Sequence, residues 1–450
     1  MLQQEVRLMS KIGFVSLGCP KNLLDTEVML GALANEGYEI TPEETEADII
    51  VINTCAFIES AKKESIDNIL DIAWLKENGQ LKGIVVTGCL AERYRDEILK
   101  EFPEVDAVLG TGSVHSIVKA IKEVENGHTF SEYLDKNTVK LGGDRIVTTP
   151  SDAYAFLKIS EGCNNVCTYC AIPHIRGKFR SRPIEDLIKE AKELCQMGVK
   201  ELVIIGQDTT AYGIDLYGEY CLHTLLRRLA DETEVKWLRI LYCYPDKITD
   251  ELIEEFKTNS KLVKYIDLPV QHINSRILKK MNRKGDGDLI RSVIKKLRTV
   301  PEMAIRSTAI VGFPTETEEE FLELCQFVKD TKFDVFGAFT YSREEGTAAY
   351  NFDGQIDEQV KQDRYDIIMR EQLSAIENRY TEYVGKELNV LCEGFDPVAE
   401  AYVGRAPFQS PDDIDGKVFF FSNRRHSVGE FVDVRIMAVE DDYNLAGRAV

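Results

Sequence analysis

Long apolar stretches are missing from this chain. No run approaches the ~20 residues needed to cross a bilayer, and the N-terminus MLQQEVRLMSK lacks the apolar h-region of a secretory signal, so a cytoplasmic protein away from the membrane is expected. Histidine is scarce, with six residues forming no cluster, and there are no internal repeats or low-complexity tracts. Positive charge is also short: 55 Lys and Arg stand against 76 Asp and Glu, a net charge of −21. A nucleic-acid binder normally shows a basic patch for the phosphates, so a basic protein partner is the easier fit. What is present is an ordinary globular balance, 44% hydrophobic and 29% charged, over 450 residues, enough for two or three domains. The eleven cysteines of such a chain read as metal ligands or buried thiols rather than disulfides.

Three of those cysteines carry most of the information. Cys163, Cys167 and Cys170, in EGCNNVCTYCAIP, have the spacing C-x3-C-x2-C. Three thiolates bind three corners of a 4Fe–4S cube and leave one iron open, whereas electron-transfer clusters normally take four. A zinc site would want a fourth Cys or His close by; the nearest, His174, lies past Pro173.

The first 128 residues alternate short apolar strands with helical stretches, as in a parallel sheet with crossover helices. KIGFVSLGC (11–19), ADIIVINTC (47–55) and GIVVTGC (83–89) each end in a cysteine: Cys19, Cys55 and Cys89. Ligands of open α/β sheets bind beyond the carboxyl ends of strands, so these thiols form a second candidate metal set; three buried structural cysteines are the alternative. Residues 129–151 read as a linker. Over 152–383 six strand candidates alternate with helices: 155–160, 201–206, 237–242, 265–271, 304–312 and 334–341. They suggest a partial (β/α)6 barrel with its chemistry at the strand carboxyl ends; residues 357–383 read as a charged amphipathic helix. Residues 384–450 alternate in period two, the pattern of a small all-β barrel. That module has twelve acidic and seven basic residues, the wrong sign for a barrel that holds RNA. Its Asp412, Asp413 and Asp415 lie so close together in SPDDIDG that all three are expected to face solvent.

EGCNNVCTYCAIP resembles the cluster loop of radical-SAM enzymes, and the three-module order resembles the methylthiotransferases, whose last module is called TRAM. SLGCPKNLLDTE (16–27), NTCAFIESAKKESID (53–67), RGKFRSRPIEDL (176–187) and GQDTTAYG (206–213) are similar to the RimO-type branch, which modifies an aspartate of small-subunit ribosomal protein twelve. The MiaB-type branch, which modifies a tRNA adenosine, typically reads GCQMN where this chain has GCPKN, and GQNV where it has GQDT.

The resemblance implies two 4Fe–4S clusters and S-adenosylmethionine as cofactors. Cys163, Cys167 and Cys170 would hold the radical-SAM cluster, and Cys19, Cys55 and Cys89 an auxiliary cluster that presents sulfur. One S-adenosylmethionine would methylate that sulfur; a second would yield the radical that takes hydrogen from the aspartate β-carbon before the methylthio group is transferred. No side chain is assigned as catalytic acid or base, because that C–H bond is not acidic at neutral pH. The implied partners are ribosomal protein twelve and an electron donor the sequence does not name, with nucleic acid expected only as part of the ribosome. Tyr169 would lie by the adenine, though loop packing suits it equally. Gln207, Gln271 and Gly312 follow barrel strands where cofactor contacts occur, and Asp208 stands beside Gln207; turn chemistry is the alternative for each. His272 is expected to be structural. Cys195, Cys221, Cys243, Cys325 and Cys392 have no ligand spacing and read as ordinary thiols. An iron–sulfur carrier without chemistry of its own is the other class to be distinguished.

Overall fold

Strands β3 (Ile49–Thr54) and β4 (Gly83–Gly88) are buried at every position, as expected for parallel strands covered on both faces. Successive residues feed different cores. Ile50, Ile52, Ile84 and Val86 pack with Ile69 and Ile72 of helix Glu59–Glu77. Ile49, Val51 and Val85 pack with Met29 and Leu33 of helix Pro20–Asn35 and with Ile121 of helix Ile117–Glu125. A computed structural model describes residues 9–79, 81–412, 414–440 and 443–450. With β1 (Lys11–Ser16), β2 (Glu39–Thr41), β5 (Ala107–Leu109) and β6 (Phe130–Glu132), these strands form a sheet of order β2-β1-β3-β4-β5-β6, parallel throughout. Strand β6 falls inside the stretch expected to be linker.

The chain divides into two compact units. The first contains this sheet through Thr148, together with Glu161–Asn164 and Cys170–Arg180; the second contains Thr149–Ser160, Asn165–Tyr169 and everything from Ser181 onward. In the second, β7 (Tyr154–Lys158) begins a parallel sheet. After the two-residue strands β8 (Ser160–Glu161) and β9 (Arg180–Ser181) that flank the cysteine loop in sequence, it continues with β10 (Glu201–Ile205), β11 (Trp237–Ile240), β12 (Leu262–Asp267), β13 (Ala304–Val311) and β14 (Val335–Thr340). The spatial order β7-β10-β11-β12-β13-β14 follows the chain, with helices between the strands, which is how a partial (β/α)6 barrel is wound.

Helix Glu358–Tyr380 buries one stripe, but not an apolar one: Lys361, Arg364 and Gln372 share it with Ile368, Ile376 and Tyr380. Ile376 and Tyr380 enter the core of the terminal module, where β15 (Glu387–Asp396), β16 (Ala401–Arg405), β17 (Val418–Phe421), β18 (Phe431–Val439) and β19 (Leu445–Ala449) close a five-stranded barrel.

Polar links join this barrel to the parallel strands. Glu201 of β10 is fully buried between Arg239 Nε of β11 at 2.6 Å and Arg405 Nη2 of β16 at 2.5 Å. Arg306 of β13 pairs with Asp412 and, at 3.2 Å, with Asp415, while the Tyr265 hydroxyl of β12 donates to Asp415 at 2.6 Å. This corrects the expectation for the SPDDIDG loop. Asp415 is completely buried and Asp412 largely so, because Arg306 and Tyr265 supply the counter-charge and donor that water would have supplied. Asp413 lies outside the described residues.

Candidate active site

Strands β1, β3 and β4 are neighbours, and each is followed by one cysteine. Cys19 caps helix Pro20–Asn35, Cys55 follows Thr54 directly, and Cys89 opens helix Cys89–Tyr94. The strand order reverses between β1 and β3, the switch point where open α/β sheets bind ligands. Close approach requires glycine before two of the thiols. Gly18 has φ +87°, and a Cβ there would meet Cys55 Sγ at 2.9 Å; Gly88 has φ +92°, and a Cβ there would meet Asn53 Oδ1 at 2.4 Å.

Neutral amides tie the loops together. Asn53 Nδ2 donates to Asn22 O at 2.8 Å, and Asn22 Nδ2 donates to Leu17 O at 2.7 Å and Asn53 O at 3.2 Å. Ser65 Oγ accepts from Cys55 N at 3.0 Å and donates to Cys55 O at 2.8 Å. The three thiols feel one another electrostatically. Burial pushes Cys89 up to about 12 and also raises Cys55. Cys19 is held below its ordinary value: burial acts against this, but Lys21, Arg176 and backbone N–H groups outweigh it. Among the described residues, no three His, Cys, Asp or Glu side chains meet closely enough to hold one metal ion. A cubane takes each thiolate on a different iron, so its ligands need not share one. Three thiols beside one buried guanidinium suit an anionic iron–sulfur cluster better than a hard cation.

In the C-x3-C-x2-C loop, Cys163 and Cys167 are buried and Cys170 is half-buried. Gly162 has φ +78°, and a Cβ there would strike Lys178 O at 2.1 Å. The next amide, Cys163 N, donates to Gly177 O. Cys167 Sγ lies 3.9 Å from the Tyr244 hydroxyl, and the Tyr244 ring is flanked by Lys247 Nζ at 4.6 Å and Arg283 Cζ at 4.5 Å. Asn165, in the same loop, is gripped by two side chains. Its Nδ2 donates to Asp208 Oδ2 at 2.7 Å, and Lys247 Nζ reaches Asn165 Oδ1 at 2.8 Å and Asp208 Oδ2 at 2.6 Å. Asp208 also accepts from Thr210 Oγ1 and Ala211 N, so it braces the loop.

Tyr169 packs against Ile277, Met281, Phe313 and Tyr341, and its hydroxyl accepts from Arg283 Nη1 at 3.4 Å. Gln207 is half-buried and follows β10 after Gly206. Gln271 has φ +67° and bridges to Ala309. Val166, Tyr242, Gln271 and Thr315, four of the nine described non-glycine residues with positive φ, fall in loops that follow barrel strands. Such strain concentrates at functional sites. Gly312 has a packing reason to be glycine: at φ +72° a Cβ would meet Lys361 Cγ at 2.4 Å. His272 is fully buried; its Nδ1 accepts from Asn274 N, so Nε2 carries the hydrogen given to Glu316 at 3.0 Å. The remaining cysteines are dispersed, Cys392 in the small-barrel core and Cys243 beside Thr209.

Sequence reasoning missed Asn22, Asn53, Ser65, Lys247 and Arg176 as site residues. Only their presence inside the quoted motifs could have pointed to most of them; nothing local marks Lys247.

Three family models match separate parts of the chain. Residues 11–110 match the model described as Uncharacterized protein family UPF0004, residues 157–328 the Radical SAM superfamily and residues 384–450 the TRAM domain. The Ribosomal protein uS12 methylthiotransferase RimO of Thermoanaerobacter sp. (strain X514) is 48% identical, covering 98% of this chain and 100% of that protein. The protein of the same name from Clostridium botulinum (strain Eklund 17B / Type B) is 48% identical over 97% of each chain. Among solved structures, the radical S-adenosylmethionine methyltransferase TsrM from Kitasatospora setae superposes with a TM-score of 0.53 at 13% identity, covering 76% of this chain and 74% of that one. The cobalamin-dependent radical enzyme OxsB gives 0.50 at 12%, covering 82% and 56%. At that identity the structural likeness speaks for the fold alone. With relatives this similar over nearly their whole length, and with its cysteines at the strand ends and in the barrel loop, the chain belongs to the ribosomal protein uS12 methylthiotransferase family, RimO.

Proposed function

We propose that this chain transfers a methylthio group to the β-carbon of an aspartate in ribosomal protein uS12, with Cys19, Cys55 and Cys89 holding one 4Fe–4S cluster and Cys163, Cys167 and Cys170 the other. The observation that carries the ligand assignment is three thiols beyond three adjacent strands at the switch point. When bound, the clusters and S-adenosylmethionine supply the radical and the sulfur that the reaction needs. The chain's own residues do the rest. Asn22, Asn53 and Ser65 hold the strand-end loops, Asp208 and Lys247 hold the barrel loop through Asn165, and Gln207 and Gln271 stand where S-adenosylmethionine would be contacted. Tyr169 offers its ring to the adenine, and the turn at Gly312 shapes the mouth beside it.

Anaerobically reconstituted protein is expected to bind about eight irons. Replacing Cys163, Cys167 and Cys170 with Ala should leave about four, and so should replacing Cys19, Cys55 and Cys89. A second triple variant that keeps all its iron would overturn the strand-end assignment. Mass spectrometry of uS12 from cells with and without the gene should show one methylthio group gained on one aspartate; modified tRNA with unmodified uS12 would favour the other branch.

A further inference from the structure

Arg176 ends the one-turn helix Ile172–Arg176, and its side chain is only 3% exposed. The guanidinium is divided between two kinds of partner. Nη1 donates to the Asp25 carboxylate and lies 3.7 Å from Glu161 Oε2. Nη2 donates to Asn22 Oδ1 at 2.9 Å and to Cys89 Sγ at 3.5 Å. Asn22 and Asp25 belong to the helix that Cys19 caps, so the segment carrying one thiol grips the guanidinium that touches another. Arginine stays protonated throughout the accessible pH range, and its planar fork is pre-organised. A cationic N–H is therefore fixed on this sulfur, while the carboxylates that neutralise the cation occupy its other nitrogen.

We infer that Arg176 is a positioning residue of the auxiliary cluster, drawing charge from Cys89 Sγ and holding the reduction potential of the cluster above the value its three thiolates alone would give. Hydrogen bonds to sulfur and local charge are among the levers that set such potentials. The inference rests on the assignment of Cys19, Cys55 and Cys89 as cluster ligands.

The test uses the full chain lacking Cys163, Cys167 and Cys170, so that one cluster reports alone. Arg176→Lys, which keeps the charge, is compared with this parent; Arg176→Gln with Asp25→Asn, which removes the cation without stranding its closest carboxylate, is compared with Asp25→Asn alone, so that the charge of the carboxylate itself cancels. Iron is counted, and the reduced fraction is followed by electron paramagnetic resonance during a redox titration. The paired variant should keep its iron, but at a fixed solution potential its reduced-to-oxidised ratio should fall about tenfold, ~59 mV for a one-electron couple. The lysine variant should stay near the parent. Iron lost from the paired variant but kept, at the parental potential, by the lysine variant also supports the role. An unchanged midpoint in the paired variant overturns it, and so does iron lost from both variants, since Arg176 would then only support the fold. A parent that binds no iron would instead remove the ligand assignment itself.

Discussion

Within the parallel sheet of the second unit, the strand bodies and the loops beyond them are stabilised by different means. The bodies carry buried ion pairs: Glu201 sits between Arg239 and Arg405, and Arg306 pairs with Asp412 and Asp415. The loops carry left-handed non-glycine backbone at Val166, Tyr242, Gln271 and Thr315 and a half-buried tyrosine at Tyr169. The bodies are thus tied to the small barrel by buried ion pairs, whereas left-handed non-glycine backbone is kept to the loops that follow the strands.

The sharpest way to break this comparison is at Glu201. Exchange for Gln keeps the shape but leaves Arg239 without its carboxylate in a fully buried site. A loss of about 3–5 kcal/mol in the urea unfolding of the apoprotein is expected, the usual cost of breaking a buried pair. A loss below about 1 kcal/mol would mean that apolar packing alone joins the small barrel to these strands.

Asp415 tests the same region through pH. Burial first, opposed by Arg306 and helped by Asp412, raises its carboxyl from 3.8 to about 6. A folded value above the unfolded one favours the protonated form. The contribution is therefore fully present below about pH 4 and is lost as pH rises through 6, a difference of roughly 3 kcal/mol. Asp415→Asn should flatten this dependence, so that its urea midpoint relative to the parent improves between pH 5 and pH 7.5. Parallel pH profiles for the two proteins would show that Asp415 does not titrate in this window.

The smallest effect is expected in the loops. Asp208→Asn removes the charge that holds Asn165 and Lys247, but the ammonium keeps Asn165 Oδ1 at 2.8 Å and Asp246 at 3.7 Å, so a loss of about 1.5–3 kcal/mol is expected. On the proposed ligand assignment, iron held by Cys163, Cys167 and Cys170 should become easier to chelate, while iron on Cys19, Cys55 and Cys89 should not. Equal chelation rates from both sets would show that the brace does not act on the cluster loop.

Much of the fold was legible in the sequence, because a short apolar run bounded by turn residues reports a buried parallel strand and its last residue marks the carboxyl end. All six strands of the second sheet lie within or close to the expected runs. What stayed hidden was buried charge. Arg176 meets a sulfur 87 positions away, and Arg306 meets Asp412 across 106; charged residues read locally as solvated. The stripe of helix Glu358–Tyr380 hides Lys361 and Arg364 for the same reason: Arg364 bonds Glu316, and the Lys361 ammonium reaches Glu358 at the surface. The edge strand Phe130–Glu132 was missed because three half-buried or exposed residues have no apolar signature.

The short helix after Cys170 has a consequence for how the protein is made. Ala171 and Ile175 complete the same apolar core as β3 and β4, and Arg176 reaches the last of the three strand-end thiols. The ribosome delivers Cys19, Cys55 and Cys89 long before it delivers these residues. The three strand-end thiols therefore gain their buried cation only after the second cysteine motif has left the exit tunnel, and a truncated chain ending at the first sheet would carry them without that counter-charge.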